Sequence, residues 1–171
     1  MQEVIERYPQ LLAGLTQSSW GTFVIPQVSF GGDLFPDFLL AVADSGGVHW
    51  TLVEIESPLA VNVGLKNGQF GESARTPINQ IDDWRDWLTD NLTMAVHNRG
   101  LIVIRPESPG LAIVGRRGHG RWPHELSRQR LARQQHITLH SYDWMLEALR
   151  HGAGVERPGG PLDWSDWRSR V

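Results

Sequence analysis

The chain contains no cysteine. That excludes a disulfide framework, thiolate metal ligation and a cysteine nucleophile, and it makes a reducing cytoplasm the expected setting. Lysine is nearly absent as well: of 16 lysine and arginine residues, only Lys66 is a lysine. Chemistry that needs a side-chain amine therefore has one candidate. No run of about 18 apolar residues occurs, which excludes an ordinary membrane-spanning helix. The opening MQEVIERYPQ carries charges where an export signal has an apolar stretch. An unexported protein with no membrane partner is expected. Repeats and long low-complexity tracts are missing too.

What is present suits one domain. A chain of 171 residues, 40% of them hydrophobic, can bury a sizeable core. The net charge of -3 conceals an asymmetry. Ten acidic residues lie between Asp33 and Asp90 against Lys66, Arg75 and Arg85, whereas eight arginines lie between Arg99 and Arg133 against Glu107 and Glu125. An acidic centre beside a basic face suits a metal site next to a polyanion; the plainer reading is two solvated faces.

Val4, Ile5, Tyr8, Leu11, Leu12 and Leu15 recur at helical spacing, with a break predicted near Pro9. Phe23 to Phe30 contains Pro26 and reads as an edge strand. The clearest unit follows. Phe38 to Ala43 is an apolar strand, Asp44-Ser45-Gly46-Gly47 supplies a turn, and Val48 to Glu56 returns as its hairpin partner. Alternation along the return strand puts Trp50, Leu52, Glu54 and Glu56 on one face. Ser57 to Ala74 reads as a loop. Thr76 and Pro77 then predict a helix start, with the helix running to about Asp90 and Ile78, Ile81, Trp84, Trp87 and Leu88 as its apolar side. Leu101 to Ile104 and Leu111 to Val114 read as short buried strands, His124 to Gln134 as a helix, Ile137 to His140 as a strand and Tyr142 to Arg150 as a last helix. The expected fold class is α/β, a mixed central sheet flanked by helices over residues 1–150. Residues 151–171 form a tail in which Trp164 and Trp167 offer docking groups.

Hydrolysing a phosphodiester calls for an activated water and for neutralisation of charge on the phosphate. Mg²⁺ or Mn²⁺ held by two carboxylates supplies both. Asp37, at the start of one hairpin strand, and Glu54, on the other, are placed to meet at one end of the sheet. Glu56 shares the face of Glu54. His119, His124, His136 and His140 lack zinc-ligand spacing.

These residues carry a resemblance. Pro36-Asp37, a hairpin, then Glu54-Ile55-Glu56 is similar to the PD-(D/E)XK signature of many nucleases, with Glu56 where the signature usually has lysine. Gln80-Ile81-Asp82-Asp83-Trp84 resembles the QxxxY element of RecB-like members, with Trp84 in place of tyrosine. The order of ERYPQLL, PDFLL, WTLVEIESP, NQIDDW, LAIVGRR and ITLHSYDWMLEAL resembles the Shedu family of bacterial anti-phage nucleases over most of residues 1–150. The resemblance implies a restriction-endonuclease-like fold and a DNA endonuclease in phage defence. Asp37 and Glu54 would be the metal ligands, Glu56 an auxiliary ligand or base, and Gln80 an orienting residue. In Shedu the nuclease domain is usually joined to a sensing region and assembled as an oligomer, so the resemblance implies a homo-oligomer; no separate sensing domain fits within these 171 residues, which leaves a separate sensor protein as a partner to expect. Arg116, Arg117, Arg121, Arg128, Arg130 and Arg133 would contact the DNA backbone.

The alternative is a catalytically silent module that binds nucleic acid or a partner protein, because a carboxylate at Glu56 offers no positive charge. Lys66 is the sole candidate for a relocated lysine. Residue by residue, the plainer readings are a turn or cap role for Asp37, a solvated strand end for Glu56, an exposed helix position for Gln80 and core positions for the tryptophans.

Overall fold

The computed structural model describes residues 1–16, 20–32, 34–61, 63–64, 70–120, 122–148 and 150. Lys66, Arg121, Trp164, Trp167 and the 151–171 tail lie outside the described residues. Five strands form one mixed sheet in chain order: β1 (Gly21–Pro26), β2 (Phe38–Asp44), β3 (Gly47–Ile55), β4 (Gly110–Ile113) and β5 (Ile137–His140). The first three make an antiparallel meander, and β4 and β5 join in parallel. Parallel neighbours need crossovers. The long helix α3 (Glu72–His97) and α4 (Glu125–Gln135) provide them. Two short helices, α1 (Gln2–Arg7) and α2 (Gln10–Ala13), precede the sheet, and α5 (Tyr142–Ala148) follows it. The α/β class read from the sequence is the class observed.

The period-two alternation of the strands feeds two cores, one on each side of the sheet. Leu39, Ala41, Trp50, Leu52 and Ala112 pack with Ile81, Trp84 and Leu88 of α3 and Leu131 of α4. Phe38, Leu40, Val53, Leu111 and Ile113 pack with Ile5 and Leu12 of the first helices and with Tyr142 and Met145 of α5. The close approach of α3 depends on Gly110. A Cβ there would lie 2.8 Å from Cγ2 of Ile81 and 3.0 Å from Cγ1 of Ile137, inside van der Waals contact.

Arg85 ties this layer to the sheet. Its guanidinium donates to the carbonyls of Ser108, Gln135 and His136 and to Asp82 Oδ1. Five donors in a planar fork let one side chain hold three carbonyls on two backbone segments, which a lysine does not reproduce.

The hairpin turn forms as its residues predict. Asp44 Oδ1 accepts from Gly46 N at 2.7 Å, and Gly47 takes a positive φ of 119°. The break near Pro9 is present, at Tyr8 between α1 and α2. Three expectations are corrected. First, α3 starts four residues before Thr76, with Gly71 as N-cap, so Pro77 sits inside the helix; Thr76 instead donates to the carbonyl of Glu72. The same helix continues past Asp90 to His97 through a non-helical Asn91 (φ -126, ψ 24). Second, Leu101 to Ile104 is not a strand. Val103 adopts φ 61° in a turn closed by Ile104 N to Leu101 O, while Leu101 and Ile104 are buried in the α3-side core and the carbonyl of Ile102 accepts from Trp50 Nε1. Third, β1 is Gly21–Pro26, ending where Pro26 removes a ladder donor.

Candidate functional site

The register of the hairpin builds the site. Phe38 pairs with Val53, so Asp37, one residue ahead of β2, falls opposite Glu54. Beyond that pairing β3 runs on alone on this side, and its next N–H, on Ile55, lacks a strand partner. Asp37 supplies one: its Oδ2 accepts from Ile55 N at 2.9 Å. The Asp37 backbone is held in turn by Gln27 N, which donates to its carbonyl at 3.1 Å. The aspartate thus serves as a side-chain continuation of the ladder, and its carboxylate is fixed over the end of β3.

Glu54 is 6% exposed, and its Oε2 is buried without a hydrogen-bond partner among the described residues. Burial, and then the charges of Asp37 and Glu56, push its carboxyl up to about 8. Asp37 is raised as well, by burial against the opposing Ile55 hydrogen bond, and Glu6 of α1 adds further negative charge there. Glu56 is raised by burial and by Asp37. The Asp37 charge raises the proton affinity of its neighbour Glu54, so the two behave as one acid pair. Among the described residues no arginine or lysine makes an ion pair with any of the three.

Tyr142 completes the site. Its hydroxyl donates to the Glu56 carbonyl at 2.6 Å, and burial together with the charges of Asp37 and Glu56 raises its phenol. Neither Tyr142 nor Glu6 is singled out by the sequence, although an acid on the first helix and the tyrosine opening the last are its only hints.

Gln80 is half-buried, and its Oε1 has no partner among the described residues. The neighbouring Ile81 packs on Gly110, which pairs with Leu52, two residues before Glu54. Gln80 therefore lies on α3 alongside the strand that carries Glu54, and no hydrogen bond joins it to the three carboxylates among the described residues. Trp84 is core.

The arginines divide. Arg116 donates through Nε and NH2 to Asp143 Oδ1 at 3.1 and 3.0 Å, Arg117 N donates to Asp143 Oδ2 at 2.7 Å, and Arg117 NH2 donates to Glu147 Oε2 at 2.7 Å. These pairs fasten the turn after β4 to α5 and line an open cleft of about 480 Å³ with His119. Arg130 and Arg133 project from the exposed side of α4, and Arg128 is half-buried.

Whether these residues fit a divalent cation turns on the carboxylates. No group of three or more His, Asp or Glu side chains converges as a ligand set among the described residues. A hard cation such as Mg²⁺ needs only one or two carboxylates, with water in its other positions. A buried, orphaned Glu54 oxygen beside Asp37 meets that requirement, and the mutual repulsion of the pair is what such a cation relieves. No protein-family model matches the chain, and a search of curated proteins finds no match. No helix among the described residues is long and apolar enough to cross a membrane.

Proposed function

We propose that the chain is a metal-dependent endonuclease domain acting on DNA, with Asp37 and Glu54 as the residues that hold Mg²⁺ or Mn²⁺. The observation that carries the reading is the buried Glu54 carboxylate, one oxygen unpartnered among the described residues, set opposite Asp37 at the end of a sheet strand. Carboxylates are almost never buried unless paired or bound to a metal. Their gathering in a restriction-endonuclease-like order of elements, a meander followed by a helical crossover, supports the same reading.

When bound, the divalent cation supplies a Lewis acid toward the phosphodiester and acidifies water. The chain's own residues divide the remaining tasks. Asp37 is oriented by Ile55 N–H and Glu54 by its burial. Glu56 keeps a carboxylate of raised proton affinity beside them, suited to accept a proton from the attacking water. Tyr142 holds the Glu56 backbone, and Gln80 offers an amide on the facing helix. Arg130 and Arg133 present charge to a phosphate backbone. Phage defence and homo-oligomeric assembly belong to the same proposal, on the resemblance to Shedu nucleases.

A silent DNA- or protein-binding module is the second reading, favoured by one observation: among the described residues, which do not include Lys66, no ammonium or guanidinium pairs with the site where the nuclease signature has a lysine. Incubating the purified chain with supercoiled plasmid and Mg²⁺ or Mn²⁺ decides. Nicking by wild type and its loss in Asp37→Ala is the expected outcome; an inert wild type that also gains no thermal stability from either metal overturns the nuclease reading.

A further inference from the structure

A second recess opens at the same edge of the sheet. Val114 N donates to the His140 carbonyl and Gly115 N to that of Ser57, so the ends of β3, β4 and β5 lie side by side. Two strand spacings, about 10 Å, separate the end of β5 from that of β3. There, Trp122, Arg128, His140 and Trp144, together with Arg117, Glu125 and Ser141, line a cleft of about 240 Å³. The rings of His140 and Trp144 stack face to face, centroids 3.6 Å apart and 14° from parallel. Ser141 Oγ accepts from the Trp144 backbone N–H and so anchors the first turn of α5. Burial, and then the guanidiniums of Arg128 and Arg117, depress the His140 ring to about 4, so it remains a neutral aromatic surface at physiological pH.

Arg128 has a buried Nε–H with no acceptor among the described residues. A buried donor left unpaired is costly, and guanidinium donors favour phosphate or carboxylate oxygens. Glu125 lines the same cleft and accepts from Gln129 Nε2 within α4, and no hydrogen bond or ion pair joins it to Arg128 among the described residues. The recess therefore combines a rigid aromatic platform with an unsatisfied cationic donor. Its complement is a flat ring carrying an anion.

We propose that this recess binds one unpaired nucleotide of a DNA strand, the base on the Trp144 and His140 stack and its phosphate at Arg128. A cleft of this size accepts a single ring system. A paired base inside a duplex has both faces covered by its neighbours, so the recess selects single-stranded or locally unpaired DNA. The choice of ligand rests on the nuclease reading above, and the placement leads the unpaired strand along the sheet edge toward Asp37 and Glu54.

Binding of a short labelled oligothymidylate, measured by anisotropy in EDTA and at low salt, tests this with the intact chain. Wild type is expected to prefer the oligothymidylate to a duplex of equal length. Arg128→Gln and Trp144→Leu should each weaken that binding roughly tenfold, as loss of one stacked base or phosphate contact does. Trp144→Phe should retain most of it. Because Arg128 lies on an outer helix, its variants decide the matter if Trp144→Leu melts early. Equal affinity for duplex and single strand, indifference to Arg128→Gln, or tighter binding of oligoglutamate than of oligothymidylate would each overturn the proposal. Without divalent metal no cleavage enters the measurement: a chain that binds the single strand in this way yet never nicks DNA loses the nuclease reading and keeps this one.

Discussion

The acidic end of β3 and the arginine-bearing surface around α4 and α5 treat charge in opposite ways. Asp37, Glu54 and Glu56 crowd like charges together, half or fully buried, with no cation among the described residues to answer them. Arg116 and Arg117, by contrast, each find a carboxylate of α5 at 3.0 and 2.7 Å, with their side chains about half exposed. Exposed pairs of that kind contribute roughly 0–1 kcal/mol and serve mainly as fasteners. Buried, uncompensated carboxylates cost several kcal/mol per ion unless a proton or cation joins them. The region that weakens the fold is thus the better candidate for function, and the region with the more conspicuous sequence signal is in part structural.

The largest difference between the two should be in catalysis. Asp37→Ala or Glu54→Ala is expected to lower metal-dependent plasmid nicking by roughly a hundredfold or more, since several kcal/mol of charge stabilisation goes with the cation. Arg116→Ala should leave nicking within a few-fold of wild type. Equal losses in gel assays of all three would erase the distinction.

Glu56 sharpens the acidic side of the comparison. If it accepts a proton, Glu56→Gln should cost about a hundredfold, the lower range for general base catalysis, and Glu56→Ala no less. If activity survives Glu56→Ala and is lost in Lys66→Ala, Lys66 carries the role. An inactive wild type rescued by Glu56→Lys would mark the carboxylate as a decayed position.

Stability against pH gives a third measure. Glu54 loses its proton at about 8 when folded, against an ordinary 4.5, so the folded chain holds the extra proton across that window. The stability this contributes is complete below about pH 4.5 and is lost as pH rises through 8. Asp37, raised in the same direction, adds to the fall. Metal-free wild type should therefore melt progressively lower from pH 5 to 8, and Glu54→Gln should flatten the profile and raise Tm at pH 8 by about 5 °C, from roughly 2 kcal/mol of relieved burial. Mn²⁺ at pH 8 should raise Tm in wild type and not in Glu54→Gln. A flat wild-type profile in scanning calorimetry would contradict the buried pair.

The smallest effects belong to the basic surface. Arg130→Ala with Arg133→Ala should reduce the salt slope of DNA binding by about 2, one per lost phosphate contact. Asp143→Ala should cost no more than about 1 kcal/mol in denaturant melts. A slope that changes for Arg116→Ala but not for the α4 pair would reverse the assignment of which arginines face DNA.

How much of this was legible beforehand follows from the range of each interaction. The β2–β3 hairpin depends on Asp44 to Gly47 alone, and counting back from that turn sets Asp37 against Glu54. Local information sufficed there. Leu101 to Ile104 has the same composition as a buried strand, and only its position under Trp50, after a helix that runs longer than its Thr-Pro signal suggests, makes it a turn. The ion pairs of Arg116 and Arg117 span 27 and 30 residues and depend on where α5 docks. The contact of Tyr142 with Glu56 spans 86. Residue types and spacing hold no record of such meetings.

That last hydrogen bond also sets an order of events during synthesis. A hairpin such as β2–β3 closes in microseconds, yet the residue that secures Glu56 is translated 86 positions later, on the order of ten seconds at ordinary elongation rates. Through that interval a nascent chain can hold Asp37 and Glu54 in register while the neighbouring carbonyl waits for its donor. The acidic end of the sheet is encoded early and finished late, so its final geometry belongs only to a chain whose fifth strand and last helix have already arrived.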